Sequence, residues 1–266
     1  MANLEHLALL QQGIEKWNVW KTANPHVSPD LSGTNLNGAM LAGIDLSGAD
    51  CGGAVLCEAD LRAANLSQAN LSEAELIGAN LSGVELVDAC LSGADLRLAC
   101  FQDGNLIAAN LSGAILKEAD LGGANLIGTT LEEANLKGAN LNQAQLLRAN
   151  LRAAKLIAAH LNQAILSQAM LCEAEFYQAY LYQADLSNAN LSEAHCSSAY
   201  FFQANLSGAC LYCADLSWAN LTAANLSRAD CRGANLRGAK LREASLDQTH
   251  FQDTTMPNGM VYLKQA

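Results

Sequence analysis

The sequence has few basic residues, no long apolar run and no cysteine spacing that would build a disulfide framework. Lys and Arg number 15 against 26 Asp and Glu, a formal charge of -11. That balance disfavours nonspecific binding to nucleic acid or to anionic membranes, both of which need basic surface. No run approaches the ~20 consecutive apolar residues of a membrane span, because a polar residue interrupts every few positions. The opening Met1-Ala2-Asn3-Leu4-Glu5-His6 lacks the basic start of a secretory signal, and Leu7-Ala8-Leu9-Leu10 is too short for its apolar core. The expected location is therefore the cytoplasm. Nine cysteines, an odd number, show no disulfide-framework spacing, which fits a reducing compartment.

What the sequence does contain is an unbroken beat. From Leu31 to Met256, each of the 46 positions taken every fifth residue is Leu, Phe, Cys or Met, and 38 of them are Leu. Two residues before each sits a small residue, nearly always Ala, as in Ala59, Leu61, Ala64 and Leu66. A helix does not explain this pattern, since a five-residue step turns a helical side chain by about 140 degrees and leaves no apolar stripe. Extended backbone does: two positions apart, the small residue and the Leu point to one side of a pleat. The remaining two residues must turn a corner, which suits the Gly found at the second residue after the Leu (Gly33, Gly38, Gly43) and the Ser at the first (Ser67, Ser72). Cys51, Cys196 and Cys231 replace Leu on the beat and are expected to be small buried hydrophobes.

Ahead of the repeat, residues 3 to 22 read as one helix, with Leu4, Leu7, Leu10, Ile14 and Trp17 at three- and four-residue steps. Pro25 and Pro29 stop it. The expected division is a helical cap and linker over 1–29, the repeat over 30–256, and a closing turn and tail over 257–266.

Units such as Ala59-Asp60-Leu61-Arg62-Ala63 and Ala139-Asn140-Leu141-Asn142-Gln143 resemble the pentapeptide repeat family, and the resemblance runs from residue 30 to 256 without a slip of register. The flanks, Trp17-Asn18-Val19-Trp20 with Asn24-Pro25, and Met256-Pro257-Asn258-Gly259, resemble those of cyanobacterial members. The resemblance implies an all-β, single-domain right-handed quadrilateral β-helix, a solenoid with four pentapeptides per coil, preceded here by a short capping helix. At roughly 4.8 Å per layer, eleven and a half coils make a rod about 50 to 55 Å long, with a filled axis and no room for a ligand.

Twenty residues per coil turns the sequence into surface columns. Val87, Ile107, Ile127 and Leu147 fall in one column and predict an outward apolar stripe that is either a packing ladder or an interaction site. Tyr180 and Tyr200 share another column, above His160. Tyr182 and Phe202 share a third, beside Gln143, Gln163, Gln183 and Gln203. Aromatics beside amides suit recognition, and stacked rings also stiffen neighbouring strands. The Asn and Asp residues before each Leu are expected to form outward ladders, as Asn105 with Asn125 and Asn205 with Asn225.

His6, His26, His160, His195 and His250 are spread along the chain, so no nucleophile–base arrangement is assembled. The glycines follow the repeat and resemble no phosphate loop. Cys210-Leu211-Tyr212-Cys213 has redox or half-zinc spacing without a second pair. No enzyme activity, cofactor or metal is expected. The expected function is a protein–protein interaction or scaffold role with an unidentified partner. The alternative, by resemblance to members that mimic DNA, is binding to a type II topoisomerase, inhibiting or protecting gyrase. Eleven acids between Asp30 and Asp103, against Arg62 and Arg97, permit it. The uninterrupted repeat, the short tail and the locally basic last coils weigh against it.

Overall fold

The computed structural model describes residues 2–263, and the five-residue register generates its fold. From Asp30 with Asp50 to Asn235 with Thr255, every fifth residue pairs in parallel with the residue 20 positions further on. One coil therefore takes four pentapeptides, and each pairing falls just before a beat residue. The Leu31 amide donates to the Asp50 carbonyl at 2.7 Å, and the Asp50 amide donates back to the Pro29 carbonyl at 2.8 Å. Each side of the coil is thus a very short strand paired above and below, as in other β-helical repeats.

A third bond closes the corner, as where the Ala64 amide donates to the Leu61 carbonyl at 3.0 Å. The third residue of that turn lies at positive φ, the signature of a type II turn, which favours glycine. Gly53 takes it at 61°, but Ala63 (52°), Gln143 (60°) and Trp218 (60°) take it as well. A non-glycine residue pays roughly 1–2 kcal/mol for this conformation, so the register of the coil overrides local preference.

The core is the axis of the rod. Every beat residue from Leu46 to Leu236 is buried, as are the alanines two residues before them, whereas Leu36, Leu241, Leu246 and Phe251 at the two ends are only partly covered. Two of the departures from Leu are balanced between layers. Phe176 lies one layer from Cys196, and Phe251 one layer from Cys231, so a large residue is matched by a small one in the same column. Gly104 replaces Ala three residues after Phe101, where a Cβ would stand 3.0 Å from the Phe101 carbonyl and 3.3 Å from Val84 Cγ1. Buried threonines in the Ala slot satisfy their hydroxyls on the backbone: Thr129 Oγ1 donates to the Leu106 carbonyl at 2.7 Å and Thr254 Oγ1 to that of Cys231 at 2.6 Å.

The N-terminal segment differs from the single helix expected over 3–22. It forms α1 (Leu4–Leu10) and α2 (Ile14–Ala23), broken at Gly13, whose φ of 103° is outside the helical range. The break is tied to packing. It lets Trp17 bury completely and donate its Nε1–H to the Asp45 carbonyl at 2.7 Å, while Asn18 Oδ1 accepts from the Asp45 amide at 2.9 Å. The redirected chain leaves Leu4 exposed, contrary to the stripe read for it, leaves Val19 exposed as well, and buries Lys21, whose Nζ donates to the Val27 carbonyl at 3.2 Å. At the other end, β1 (Thr254–Thr255) pairs antiparallel with β2 (Val261–Tyr262). Residues 264–266 of the expected tail lie outside the described residues. Among the described residues no helix is long and apolar enough to cross a membrane.

The Asn and Asp ladder is borne out between several layers, as where Asn70 Nδ2 donates to Asp50 Oδ1 at 2.8 Å and Asn140 Nδ2 to Asp120 Oδ1 at 2.7 Å, and at one of the two Asn pairs named for it. Asn225 Nδ2 donates to Asn205 Oδ1 at 3.2 Å, but Asn105 donates instead to Glu85 Oε2 at 2.7 Å and leaves its own buried Oδ1 without a partner. A commoner role for these residues is local, as in Asn70 Oδ1, which accepts from the Ser72 amide at 3.1 Å.

Candidate interaction face

The 20-residue register sets residues of one column a strand spacing apart, so flat rings there must stack or splay. They stack. The His160 and Tyr180 rings lie 4.9 Å apart and 5° from parallel, Tyr180 and Tyr200 5.0 Å apart and 3° from parallel, and Tyr182 and Phe202 5.8 Å apart at 11°. Tyr180, Tyr182, Tyr200 and Phe202 are 36–43% exposed. Tyr180 stacks by both faces and the other three rings by one, so what the columns offer outward is chiefly ring edges and tyrosine hydroxyls.

Beside them runs a continuous amide ladder. Gln143 Nε2 donates to Gln163 Oε1 at 3.1 Å, Gln163 to Gln183 at 3.2 Å, and Gln183 to Gln203 at 3.1 Å. Each Nε2 has a second hydrogen free for a partner. A further ladder was not read from the sequence. Asn162 Nδ2 donates to Asn142 Oδ1 at 2.9 Å, and Asn162 Oδ1 accepts from the Tyr182 amide at 3.1 Å. The 20-residue spacing of Asn142 and Asn162 was the available signal. This whole side of the rod, from Asn140–Ala144 up to Asn220–Ala224, carries no Asp, Glu, Lys or Arg.

The second expected surface is weaker. Val87, Ile107, Ile127 and Leu147 share a column as anticipated, but all four are half-buried, which suits a ladder packed along the coil better than an open stripe. Larger exposed apolar groups lie elsewhere. Trp218 is 65% exposed and lies over Gly238, whose missing Cβ would meet the indole at 2.5 Å. A Trp followed 20 residues later by Gly was the sequence signal for it.

The electrostatics of the first coils are partly self-neutralised. Arg62 binds Asp60 at 2.6 Å and Arg97 binds Asp95 at 2.6 Å. In each pair the guanidinium's hydrogen bonds hold the carboxyl below the usual carboxylate range. The other nine acids of that stretch face no cation in an ion pair among the described residues. Near the other end, the Tyr212 hydroxyl is pushed up chiefly by its hydrogen bond with Cys213, and no group of three or more His, Cys, Asp or Glu among the described residues is arranged to hold a metal.

The family described as pentapeptide repeats matches this chain over residues 30–62, 64–103, 105–146, 149–188, 179–212 and 214–253. Among solved structures, HetL from the cyanobacterium Nostoc sp. strain PCC 7120, a pentapeptide repeat protein involved in heterocyst differentiation regulation, is 35% identical. That match covers 92% of this chain and 97% of HetL, with a TM-score of 0.48. Rfr23 from the cyanobacterium Cyanothece 51142 is 32% identical over 46% of this chain and 91% of its own, with a TM-score of 0.27. QnrB1, a plasmid-mediated fluoroquinolone resistance protein, is 20% identical over 69% of this chain and 92% of its own, with a TM-score of 0.47. No curated protein sequence gives a significant match.

Proposed function

The chain belongs to the pentapeptide repeat family, and from that premise we propose that it is a non-enzymatic, cytoplasmic interaction rod that binds a protein partner through its aromatic and amide face. On this reading residues 30–256 form a right-handed quadrilateral β-helix, residues 1–29 cap its first coil, and 257–266 close it. The observation that carries the proposal is the exposed cluster of Tyr180, Tyr182, Tyr200 and Phe202 beside the Gln143–Gln203 ladder. Stacking these rings supports the coil, but a stabilising role alone would be served by buried groups. Rigid, half-exposed aromatics flanked by amides are the composition of binding hot spots. The regulatory involvement stated for HetL accords with a role exerted through binding.

The test is capture from the source cell by wild-type protein and by Tyr182→Ser/Phe202→Ser, each checked by thermal melting. Loss of the captured partner is expected, with no more than the small fall in melting point that a lost ring pair brings. Undiminished capture with a lowered melting point would reduce the cluster to a packing device.

The acidic first coils favour a second reading, the DNA-mimic binding of a type II topoisomerase, through the nine carboxylates that no ion pair neutralises. A gyrase supercoiling assay decides it: inhibition, or protection from a quinolone, at micromolar protein supports the mimic, and no effect removes it.

A further inference from the structure

The aromatic face is uncharged over five successive coils in a chain of net charge -11, and the distribution of charge just beyond it is polar. On the same side of the rod, the next coil toward the N-terminus presents Asp120, followed by Gly122 and Gly123. The next coil toward the C-terminus presents Lys240, Arg242 and Glu243; the last two form an ion pair at 2.9 Å, which leaves the exposed Lys240 as the net charge of that side. Asp120 and Lys240 occupy the same column and stand three coils below and three coils above Tyr180.

We propose that this face binds a second copy of the chain, the two rods lying antiparallel about a two-fold axis in the interface at the layer of Tyr180. The inference rests on the interaction reading of the same face and names its partner. Such an axis reverses the order of layers and keeps each column facing itself. Asp120 of each copy then meets Lys240 of the other, His160 meets Tyr200, and Gln163 meets Gln203. A parallel pairing would set Lys240 near Lys240 and gain nothing from this polarity. Two further observations favour a copy over an unlike protein. Two chains of charge -11 repel wherever acids face each other, and this strip of five coils is free of them. The groups it displays also recur at the ring spacings of 4.9 and 5.0 Å, a period matched by another surface built from stacked strands.

Seven coil sides give a strip roughly 30 Å long and one strand wide, less than the ~800 Å² per partner of a stable complex. The dimer is therefore weak and reversible, with a dissociation constant on the order of tens of micromolar.

Sedimentation velocity of the full chain from micromolar to millimolar concentration reads this out. Wild type is expected to shift from monomer to dimer. Asp120→Lys alone and Lys240→Asp alone weaken dimerisation about tenfold or more through like-charge contacts, and the double variant, in which the charges have exchanged places, recovers it. Tyr182→Glu, at an exposed site that leaves the fold intact by circular dichroism, abolishes it. A wild-type rod monomeric throughout, or a dimer indifferent to Tyr182→Glu and to both charge reversals, overturns the proposal. Monomeric behaviour together with loss of partner capture in Tyr182→Ser/Phe202→Ser would overturn self-association while leaving the interaction reading in place. A dimer with capture unaffected by those substitutions would do the reverse.

Discussion

At Gly104 the small-residue slot of the coil has no spare volume. Its backbone φ is not positive, so the requirement is spatial alone: a Cβ would crowd the Phe101 carbonyl at 3.0 Å and both Leu106 Cδ1 and Val84 Cγ1 at 3.3 Å. Gly104→Ala is expected to destabilise the rod by about 1–3 kcal/mol in denaturant titration, although Ala is the commonest residue at this slot. The beat cysteines give a second residue-level expectation. Burial, with a smaller push from Asp50, raises the Cys51 thiol to about 12, and burial with Asp230 raises that of Cys231 to about 12. An unfolded cysteine titrates near ~8.5, so above that pH the unfolded chain has lost protons that the folded chain keeps. The stability these thiols lend is complete below ~8.5 and is lost as pH rises toward 12. Cys51→Ala/Cys231→Ala should therefore show a shallower fall in unfolding midpoint across that alkaline window than wild type.

Among the elements, α2 has the clearest anchor. Trp17 is completely buried and donates to the Asp45 carbonyl at 2.7 Å. Trp17→Ala is expected to cost about 3–5 kcal/mol, with faster amide exchange at Asp45 and Leu46 while the coils beyond Leu136 keep their protection, since a solenoid couples mainly nearest neighbours. This element also marks where sequence reasoning stopped. The beat fixed which residues go inward, because one slip of register would expose every Leu, and Trp17 was visible as part of an apolar stripe. The break at Gly13 was not visible. A glycine within a helical pattern carries only a small penalty, and what decides the break is the docking of Trp17 on a coil that begins more than a dozen residues later. The half-burial of Val87, Ile107, Ile127 and Leu147 was hidden for a related reason: the pleat gives the direction of a side chain and not how closely its neighbours above and below cover it. The ring stacks, in contrast, followed from the 20-residue ruler alone, because two flat groups one strand spacing apart in a column have little choice of arrangement.

Taken whole, the molecule is a rod whose interior is uniform and whose outside is not. Its hydrogen bonds run between adjacent coils all along its length, so any function is confined to the outward positions that depart from the repeat. One side gathers stacked aromatics and amide ladders in a strip without Asp, Glu, Lys or Arg, and the other sides mix acids and bases at the same height, as with Arg152 between Glu132 and Glu173. The most direct measurement of whether that strip is the working surface is photo-crosslinking in the source cell, with a benzophenone amino acid replacing Tyr182 and, in a separate protein, Glu193, which is exposed on another side. A discrete protein adduct at position 182, whether with another copy or an unlike partner, and none at position 193 is the predicted result. Adducts at 193 with none at 182 would contradict it.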